Sequence, residues 1–285
     1  MNSKTLKLLA AGILIAFSFG LVSEVSAVGK SNFDKNSGKA DIQTNQAEIS
    51  VTGGGNVPYY HLQLNNSKSS YEVKFSGIQE FVDNNGDELF QNSESVQGSS
   101  LNFPSSGWDF SNFSNTTDSS GNIAKIDFNF THTSNNGPNI QLRNHIDFST
   151  GNQIKFDIVV DKYQWKSTND SAKLVISMQI TGGSLKNNTN NNDVTFGDAF
   201  LKSVSSAQTS GGDINVDTQV GSGNTLYLIY GHFNSGFVHD PTFGAVVGTS
   251  TNSSSVNTGV SLEWFPIISG LVVIGLVYTK KRKNN

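Results

Sequence analysis

Hydrophobic and polar residues alternate with a period of two through the middle of the chain. Between residues 124 and 130, every second residue is apolar and the residues between them are polar. The same alternation recurs in seven other runs, at 60–64, 71–75, 140–148, 154–160, 174–180, 226–230 and 243–247. Strict alternation is typical of strands with one buried and one solvated face, as in antiparallel sheets. Because a single open sheet would expose its apolar face, the pattern predicts an all-β, antiparallel β-sandwich over 45–247.

The N-terminus has the features of a secretory signal peptide. Lys4 and Lys7 precede an apolar run over 8–22, and the small-residue sequence Val25-Ser26-Ala27 follows it. This order of basic, apolar and small residues predicts a signal peptide over 1–27.

The C-terminus has the features of a membrane span. In 260–279 the only charged residue is Glu263, and four basic residues follow directly at 280–283. About 20 apolar residues are needed to cross a bilayer, and flanking cations stay on the cytoplasmic side. We therefore expect a C-terminal single transmembrane helix over 260–279 in the lipid bilayer of the cell membrane, and a basic cytoplasmic tail over 280–285. Replacement of this tail by a lipid anchor is the alternative.

Two further segments are polar and rich in Gly, Ser, Thr and Asn. These are 28–44, at the start of the mature chain, and 248–259, just before the span. Such compositions bury too little apolar surface to offset the entropy of ordering. They predict a flexible N-terminal segment and a flexible stalk.

Charge and cysteine content narrow the choice of function. Residues 28–262 contain 13 basic and 21 acidic residues, a net charge of about −8. Because nucleic-acid binding depends on clustered Lys and Arg, we expect no nucleic-acid partner. The chain has no cysteine, which excludes disulfides and thiol chemistry.

The most specific local motif is a twelve-residue loop that begins at Asp83. Oxygen-bearing groups occupy positions 1, 3, 5, 7, 9 and 12 of the EF-hand calcium spacing, namely Asp83, Asn85, Asp87, Leu89 through its carbonyl, Gln91 and Glu94. Calcium takes six to eight hard oxygen ligands at this spacing. The loop departs from the motif at position 6, where Glu88 replaces the glycine of the sharp turn. The sequence thus predicts a weak calcium site, and a metal-free turn rich in Asn and Asp is the alternative.

Seven Asn-X-Ser/Thr sequons are candidate glycosylation sites. They begin at Asn65, Asn112, Asn115, Asn129, Asn169, Asn187 and Asn252. Alternation places Asn129 on the polar face of its strand.

Catalytic motifs are absent from the sequence. It contains no Gly-x-Ser-x-Gly, no His-Glu-x-x-His and no phosphate-binding glycine loop. His232, His239 and Asp240 are either solvated side chains or the ligands of a metal ion. Trp108 and Trp165 are either core residues or platforms on which sugars stack. A pair of glycosidase carboxylates brought together by the fold is a further alternative.

A resemblance rests on two segments. Tyr71 to Asp87 reads Tyr-x-Val-x-Phe-x-x-Ile-x-Glu-Phe-x-Asp-x-Asn-x-Asp, and Lys155 to Trp165 reads Lys-Phe-Asp-Ile-Val-Val-Asp-x-Tyr-x-Trp. Over about 71–180 the chain resembles uncharacterised archaeal-type predicted surface proteins. The resemblance implies a signal peptide, a β-rich ectodomain, one EF-hand-like loop and a C-terminal span, and no known activity.

Together these patterns predict a single-pass cell-surface protein that is not an enzyme. Its β-sandwich would act in adhesion, in recognition of an extracellular protein or glycan, or in the structure of the cell envelope, including a surface lattice. The alternative is a membrane-tethered extracellular hydrolase or carbohydrate-active domain, which would place Asp or Glu residues in a deep cleft lined by Trp108 or Trp165.

Overall fold

A computed structural model of the protein describes residues 30–34, 36–53, 57–134, 137–187 and 192–246. Within these ranges the regular structure is β-strand, together with one short turn of 3-10 helix at Asn92–Glu94. The strands are β1 Lys30–Asp34, β2 Lys39–Gln43, β3 Ala47–Thr52, β4 Tyr59–Leu64, β5 Ser70–Val82, β6 Leu101–Asn102, β7 Trp108–Thr117, β8 Ile123–His132, β9 Asn139–Asp147, β10 Gln153–Asp161, β11 Ala172–Thr181, β12 Leu185–Asn187, β13 Asp193–Phe196, β14 Ala199–Lys202, β15 Ser206–Thr209, β16 Gly212–Val220, β17 Thr225–Tyr230, β18 Phe237–His239 and β19 Thr242–Ala245. The predicted all-β class is confirmed. In the part of the chain that the structure describes, no helix has the length and apolar character to cross a bilayer.

All of the strand pairings are antiparallel, as predicted, and they form two runs. In the first run the order is β1-β2-β3-β4-β5-β11-β17-β16, with the short β6 also on β5. In the second run β7-β8-β9-β10 continues to β18 and β19, then β19 pairs with β14 and β14 with β13, while β12 pairs with β13.

Strand β16 takes part in both runs. Residues 212–215 pair with β15, which contacts β18 of the second run, and residues 216–220 pair with β17 of the first run. Hydrogen bonding is therefore continuous through all nineteen strands. Strands that pass from one sheet to another in this way form the corners of many all-β proteins.

One hydrophobic core contains apolar residues of both runs. Tyr60 of β4 stacks on Phe156 of β10 with ring centroids 4.6 Å apart, and Phe75 of β5 meets the same ring edge-on at 6.1 Å. All three rings are buried. The predicted inward faces are confirmed, since Ile126, Phe128, Phe130, Ile154, Phe156 and Ile158 are each 0% exposed.

The prediction of a flexible segment over 28–44 is wrong for most of its length. Residues 30–34 and 39–43 form β1 and β2, and β2 pairs with β3 in full register. The physical reason is a short alternation in which Ala40 and Ile42 are buried and Lys39 and Asp41 face outward. The polar turn at 36–38 conceals this pattern in the sequence.

Several predicted segments lie outside the described residues. These are the signal peptide 1–27, the stalk 248–259, the membrane helix 260–279 and the tail 280–285.

Candidate metal centre

The loop that was predicted to bind calcium begins directly after β5 and ends in the 3-10 turn Asn92–Glu94. It brings the carboxylates of Asp83, Asp87 and Glu94 together, with one ligand oxygen from each lying within 4.8 Å of the others. These are three of the six predicted ligands. Carboxylate oxygens at this separation are suited to a hard divalent cation.

Asp83 organises the first half of the loop. Its Oδ1 accepts a hydrogen bond from the Gly86 N–H at 2.8 Å, and its Oδ2 accepts one from the Glu88 N–H at 2.9 Å. The carboxylate thus holds the chain in a tight curve around itself, although the residues between are exposed.

Asp87 is the second carboxylate around which the loop folds. Its Oδ2 accepts hydrogen bonds from the side-chain amides of Asn85 at 3.0 Å and Gln91 at 2.7 Å, and its Oδ1 accepts one from the Leu89 N–H at 2.9 Å. Asn85, Leu89 and Gln91 therefore donate N–H groups to the Asp87 carboxylate, and the Asn85 Oδ1 accepts from the Asp87 N–H at 3.0 Å.

Glu94 closes the loop onto its start. Its Oε1 accepts a hydrogen bond from the Asn84 N–H at 2.9 Å, while its Oε2 is inaccessible to solvent and has no hydrogen-bond partner. A buried carboxylate oxygen without a donor is unfavourable. A cation beside Oε2 would remove that penalty.

The backbone at position 6 takes the conformation that normally requires glycine. Glu88 has φ of +63°, in the left-handed region, and Gly86 has φ of +73°. A residue with a side chain in this region costs roughly 1 kcal/mol or more. The Glu88 carboxylate forms an ion pair with Lys173 of β11, whose ammonium also lies 3.4 Å from Asp83 Oδ2.

The charges around the loop shift the pKa values of Asp83 and Lys173. Desolvation acts to raise the pKa of Asp83, but the N–H groups of Glu88 and Gly86 and the Lys173 ammonium outweigh it, so this pKa lies below its usual value. Burial acts to lower the pKa of Lys173, but the Glu88 and Asp83 carboxylates outweigh it and raise this pKa. Asp83 therefore stays ionised at neutral pH, with the Lys173 ammonium beside it.

Phe90 fixes the loop to the outer face of the first run. Its ring is 7% exposed and packs with Phe81, Val175 and Ile229 in a second apolar cluster, which is separate from the main core. Its backbone exchanges two hydrogen bonds with the Gln219 side chain, at 2.7 and 3.1 Å. These contacts thus attach the loop that carries the acidic cluster to the first run.

A buried carboxylate lies just before the loop on β5. Glu80 is 0% exposed, and its oxygens accept hydrogen bonds from the Tyr163 hydroxyl at 3.0 Å, the Lys166 N–H at 2.7 Å and the Ser167 N–H at 2.8 Å. Burial, together with the Glu80 charge, raises the pKa of Tyr163. Glu80 therefore fastens the segment after β10 to the strand that leads into the loop.

The alternative metal group at His232, His239 and Asp240 is not assembled. His239 is buried, with Nδ1 accepting from the Tyr230 hydroxyl at 2.9 Å and Nε2 donating to the Val204 carbonyl at 3.0 Å. Burial lowers the pKa of His239 to about 4. His232 instead stacks on Trp165, and Asp240 pairs with Lys155.

Neither candidate tryptophan offers a free ring for sugar stacking beside carboxylates. Trp108 is 7% exposed and donates its indole N–H to the Pro104 carbonyl. Trp165 is half-buried, donates to the Phe233 carbonyl and packs against Tyr163.

The sequons differ in accessibility. Asn112, Asn115 and Asn169 are exposed, whereas Asn65 and Asn129 are half-buried, and the Asn65 amide donates to the Thr44 carbonyl. Asn187 lies in β12, and Asn252 lies outside the described residues.

Three features of this site have no local signal in the sequence: Lys173, Gln219 and the burial of Glu80. Lys173 follows Asp83 by 90 residues and Gln219 follows Phe90 by 129. No protein-family model matches the chain, and a comparison with curated proteins finds no significant match.

Proposed function

We propose that this protein is a single-pass surface protein whose non-catalytic β-sandwich ectodomain acts in adhesion, recognition or cell-envelope structure, with calcium bound at the loop 83–94. The observation that carries this proposal is the convergence of the Asp83, Asp87 and Glu94 carboxylates within 4.8 Å, in a loop that packs on the outer face of the first run.

The sandwich is supported by contacts between the two runs. Tyr60 and Phe75 of the first run pack on Phe156 of the second, and Phe33 of β1 meets Phe128 of β8 with ring centroids 5.9 Å apart. Two antiparallel sheets that share one apolar core are the usual construction of a sandwich.

Calcium is favoured over softer metals because all candidate ligands are oxygens. Carboxylates and carbonyls suit hard cations, whereas transition metals prefer imidazole and thiolate ligands. The strained backbone at Glu88 and the Lys173 ammonium beside Asp83 both oppose binding. We therefore expect a dissociation constant of about 10⁻⁴ to 10⁻³ M, the range of extracellular calcium modules.

Calcium should raise the melting temperature of the full chain. At ten times the dissociation constant, binding to the folded state alone contributes roughly 1.4 kcal/mol. For a domain of this size that amounts to a rise of about 3–6 °C. Calorimetry at about 5–10 mM calcium, where such a site is filled, measures both the heat and the shift.

Glu94→Gln should abolish this rise and leave the metal-free melting temperature nearly unchanged, because glutamine still offers an oxygen to the Asn84 N–H. Glu48→Gln is the matched control, since Glu48 is exposed on β3 away from the loop and its loss should leave the calcium response intact. A wild-type protein with no heat and no melting shift would show that the loop is only a structural turn.

The location rests on the two ends of the sequence. Basic residues at 280–283 after the apolar 260–279, and the signal-like 1–27, support an outer domain, a lipid-embedded span and a cytoplasmic tail. Protease added to intact cells should release a domain of nearly the full mature size. Complete protection contradicts this topology, and mass spectrometry of the mature C-terminus distinguishes a retained tail from one exchanged for lipid.

The alternative of a tethered hydrolase has less support. A glycosidase needs two carboxylates that reach the substrate. Tyr163, which packs against Trp165, donates to the carboxylate of Glu80, and this carboxylate is fully buried and accepts three hydrogen bonds. Glycosylation at Asn112, Asn115 and Asn169 fits their exposure.

A further inference from the structure

A groove of about 270 Å³ lies on the outer face of the first run, beside the loop 83–94. Its lining comes from β5, β11 and β17, from residues next to or within β6, and from Phe90 and Asn92 of the loop. The candidate metal centre and the groove are therefore built partly from the same segment.

Small residues keep the groove open. A Cβ atom on Gly77 would lie 3.2 Å from the Leu101 carbonyl oxygen and 3.4 Å from Ser177 Oγ, so the approach of β6 leaves little room for a side chain. Ser76 and Ser177 bond to each other at 2.9 Å across the β5–β11 pair. Glycine inside a strand often marks a place where a backbone or a ligand comes close.

The polar side chains along the groove have unused hydrogen-bonding capacity. Six of them line it without a side-chain hydrogen bond to any described residue: Gln79, Asn92, Ser100, Asn102, Thr225 and the Tyr227 hydroxyl. Each is exposed or half-exposed. Amides and hydroxyls of this kind both donate and accept.

The lining contains no charged residue, and its apolar part includes two aromatic rings. Phe90 and Tyr227 meet edge-to-face with centroids 5.1 Å apart at the side of the groove next to the loop. A charged ligand would therefore find no counter-ion here, and a wholly apolar ligand would leave the amides unpaired.

We propose that this groove binds a neutral carbohydrate of one or two rings. Sugar hydroxyls match the mixed donors and acceptors of Gln79, Asn92 and Asn102. The C–H face of a sugar suits the half-exposed ring of Tyr227, which Phe90 supports from behind. A volume of about 270 Å³ is just below the usual range for drug-sized ligands, about 300–1,000 Å³. An added peptide strand would instead need an open strand edge, and the groove offers side chains on a sheet face.

The proposal rests on the proposed recognition function and gives the ligand class and the site. It also connects the groove to calcium, because Phe90 and Asn92 belong to the loop whose carboxylates converge. Ordering of the loop by calcium should tighten sugar binding, and by linkage sugar should tighten calcium binding by the same factor.

The test uses saturation-transfer NMR on the full chain, in a detergent without a sugar headgroup. The probes are methyl glycosides of glucose, galactose, mannose and N-acetylglucosamine and their disaccharides. At least one should show transfer with a dissociation constant of about 1 mM, a weak affinity suited to an open groove. Asn102→Ala and Thr225→Val should each weaken it by about tenfold, the effect of one lost hydrogen bond. Gln208→Ala, which removes an exposed amide on β15, is the control and should change nothing.

Three outcomes overturn the proposal: no transfer to any probe, transfer that the Asn102 and Thr225 variants leave unchanged, or binding of a neutral Ser- and Asn-rich peptide in place of every sugar. The calcium proposal is judged separately by the melting shift. Sugar binding without a calcium-induced melting shift supports the groove and refutes the calcium site. A melting shift without sugar binding supports the calcium site and refutes the groove.

Discussion

Acid should destabilise the protein through one buried histidine, His239. The ring is 0% exposed, and the neutral tautomer with its proton on Nε2 satisfies both nitrogens, because Nε2 donates to the Val204 carbonyl and Nδ1 accepts from the Tyr230 hydroxyl. Burial lowers the pKa of His239 from 6.5 to about 4, although the hydrogen bond to Val204 and the charges of Asp240 and Asp157 act in the opposite direction.

The size and sign of the effect follow from linkage. As pH falls below 6.5, His239 in the unfolded chain binds a proton, whereas the folded protein resists protonation until pH is about 4. The free energy of unfolding therefore decreases as the pH falls from 6.5 to about 4. Below about pH 4, His239 is protonated in both states and causes no further decrease. Each pKa unit corresponds to about 1.4 kcal/mol, so the depressed pKa removes about 3 kcal/mol between pH 6.5 and 4.

Urea unfolding of the wild type and of His239→Gln between pH 4 and 7 measures this loss. Glutamine can still donate to Val204 but does not titrate, and the carboxylates titrate alike in both proteins. The stability advantage of the wild type should thus shrink by about 3 kcal/mol from pH 7 to pH 4. Parallel profiles for the two proteins, or an NMR titration that puts the His239 pKa near 6.5, would refute the reasoning.

Three further predictions concern stability measured by urea unfolding at neutral pH. Phe128→Ala should cost about 3–5 kcal/mol because the ring is fully buried. Lys125→Ala should be nearly neutral because Lys125 is exposed, and equal effects of the two substitutions would contradict the assigned strand faces. Glu80→Gln should cost about 3 kcal/mol, because the carboxylate accepts from the Tyr163 hydroxyl and from two backbone N–H groups. An amide would turn its own N–H groups toward one of these donors. A cost under about 1 kcal/mol would argue against the network. Asn144→Val should cost about 1–2 kcal/mol, because the buried Asn144 amide donates to the Phe128 carbonyl at 3.2 Å and to the Leu142 carbonyl at 3.1 Å. A gain in stability would show that the buried, unpartnered Asn144 Oδ1 outweighs these two bonds.

Most of the core was predictable because the alternation of apolar and polar residues is visible within each strand on its own. Phe128 and Phe156 lie in alternating runs long enough to define an inward face without knowledge of the partner strand. The alternation is too short at β2, where the two buried residues, Ala40 and Ile42, do not stand out from their polar surroundings.

The loop was predictable for the same local reason, since its ligand spacing lies within twelve residues. Its anchors were not predictable. Nothing in the local sequence places Lys173 or Gln219 against the loop, because those contacts depend on which strands lie side by side in the first run. The polar groove likewise combines side chains from five segments and has no signature in any of them.

The pairing of β5 with β11 has a kinetic consequence. Ser76 and Ser177 touch across 101 residues of sequence, and β11 then passes the sheet on to β17 and β16 near the end of the described chain. Folds dominated by such distant pairings fold on the millisecond-to-second scale, because loop closure must precede most of the favourable contacts. During synthesis, the edge of the thirteen-residue β5 that pairs with β11 stays unpaired until about a hundred further residues have left the ribosome. A chain that stopped before β11 would therefore expose a long strand edge and be prone to aggregate rather than fold.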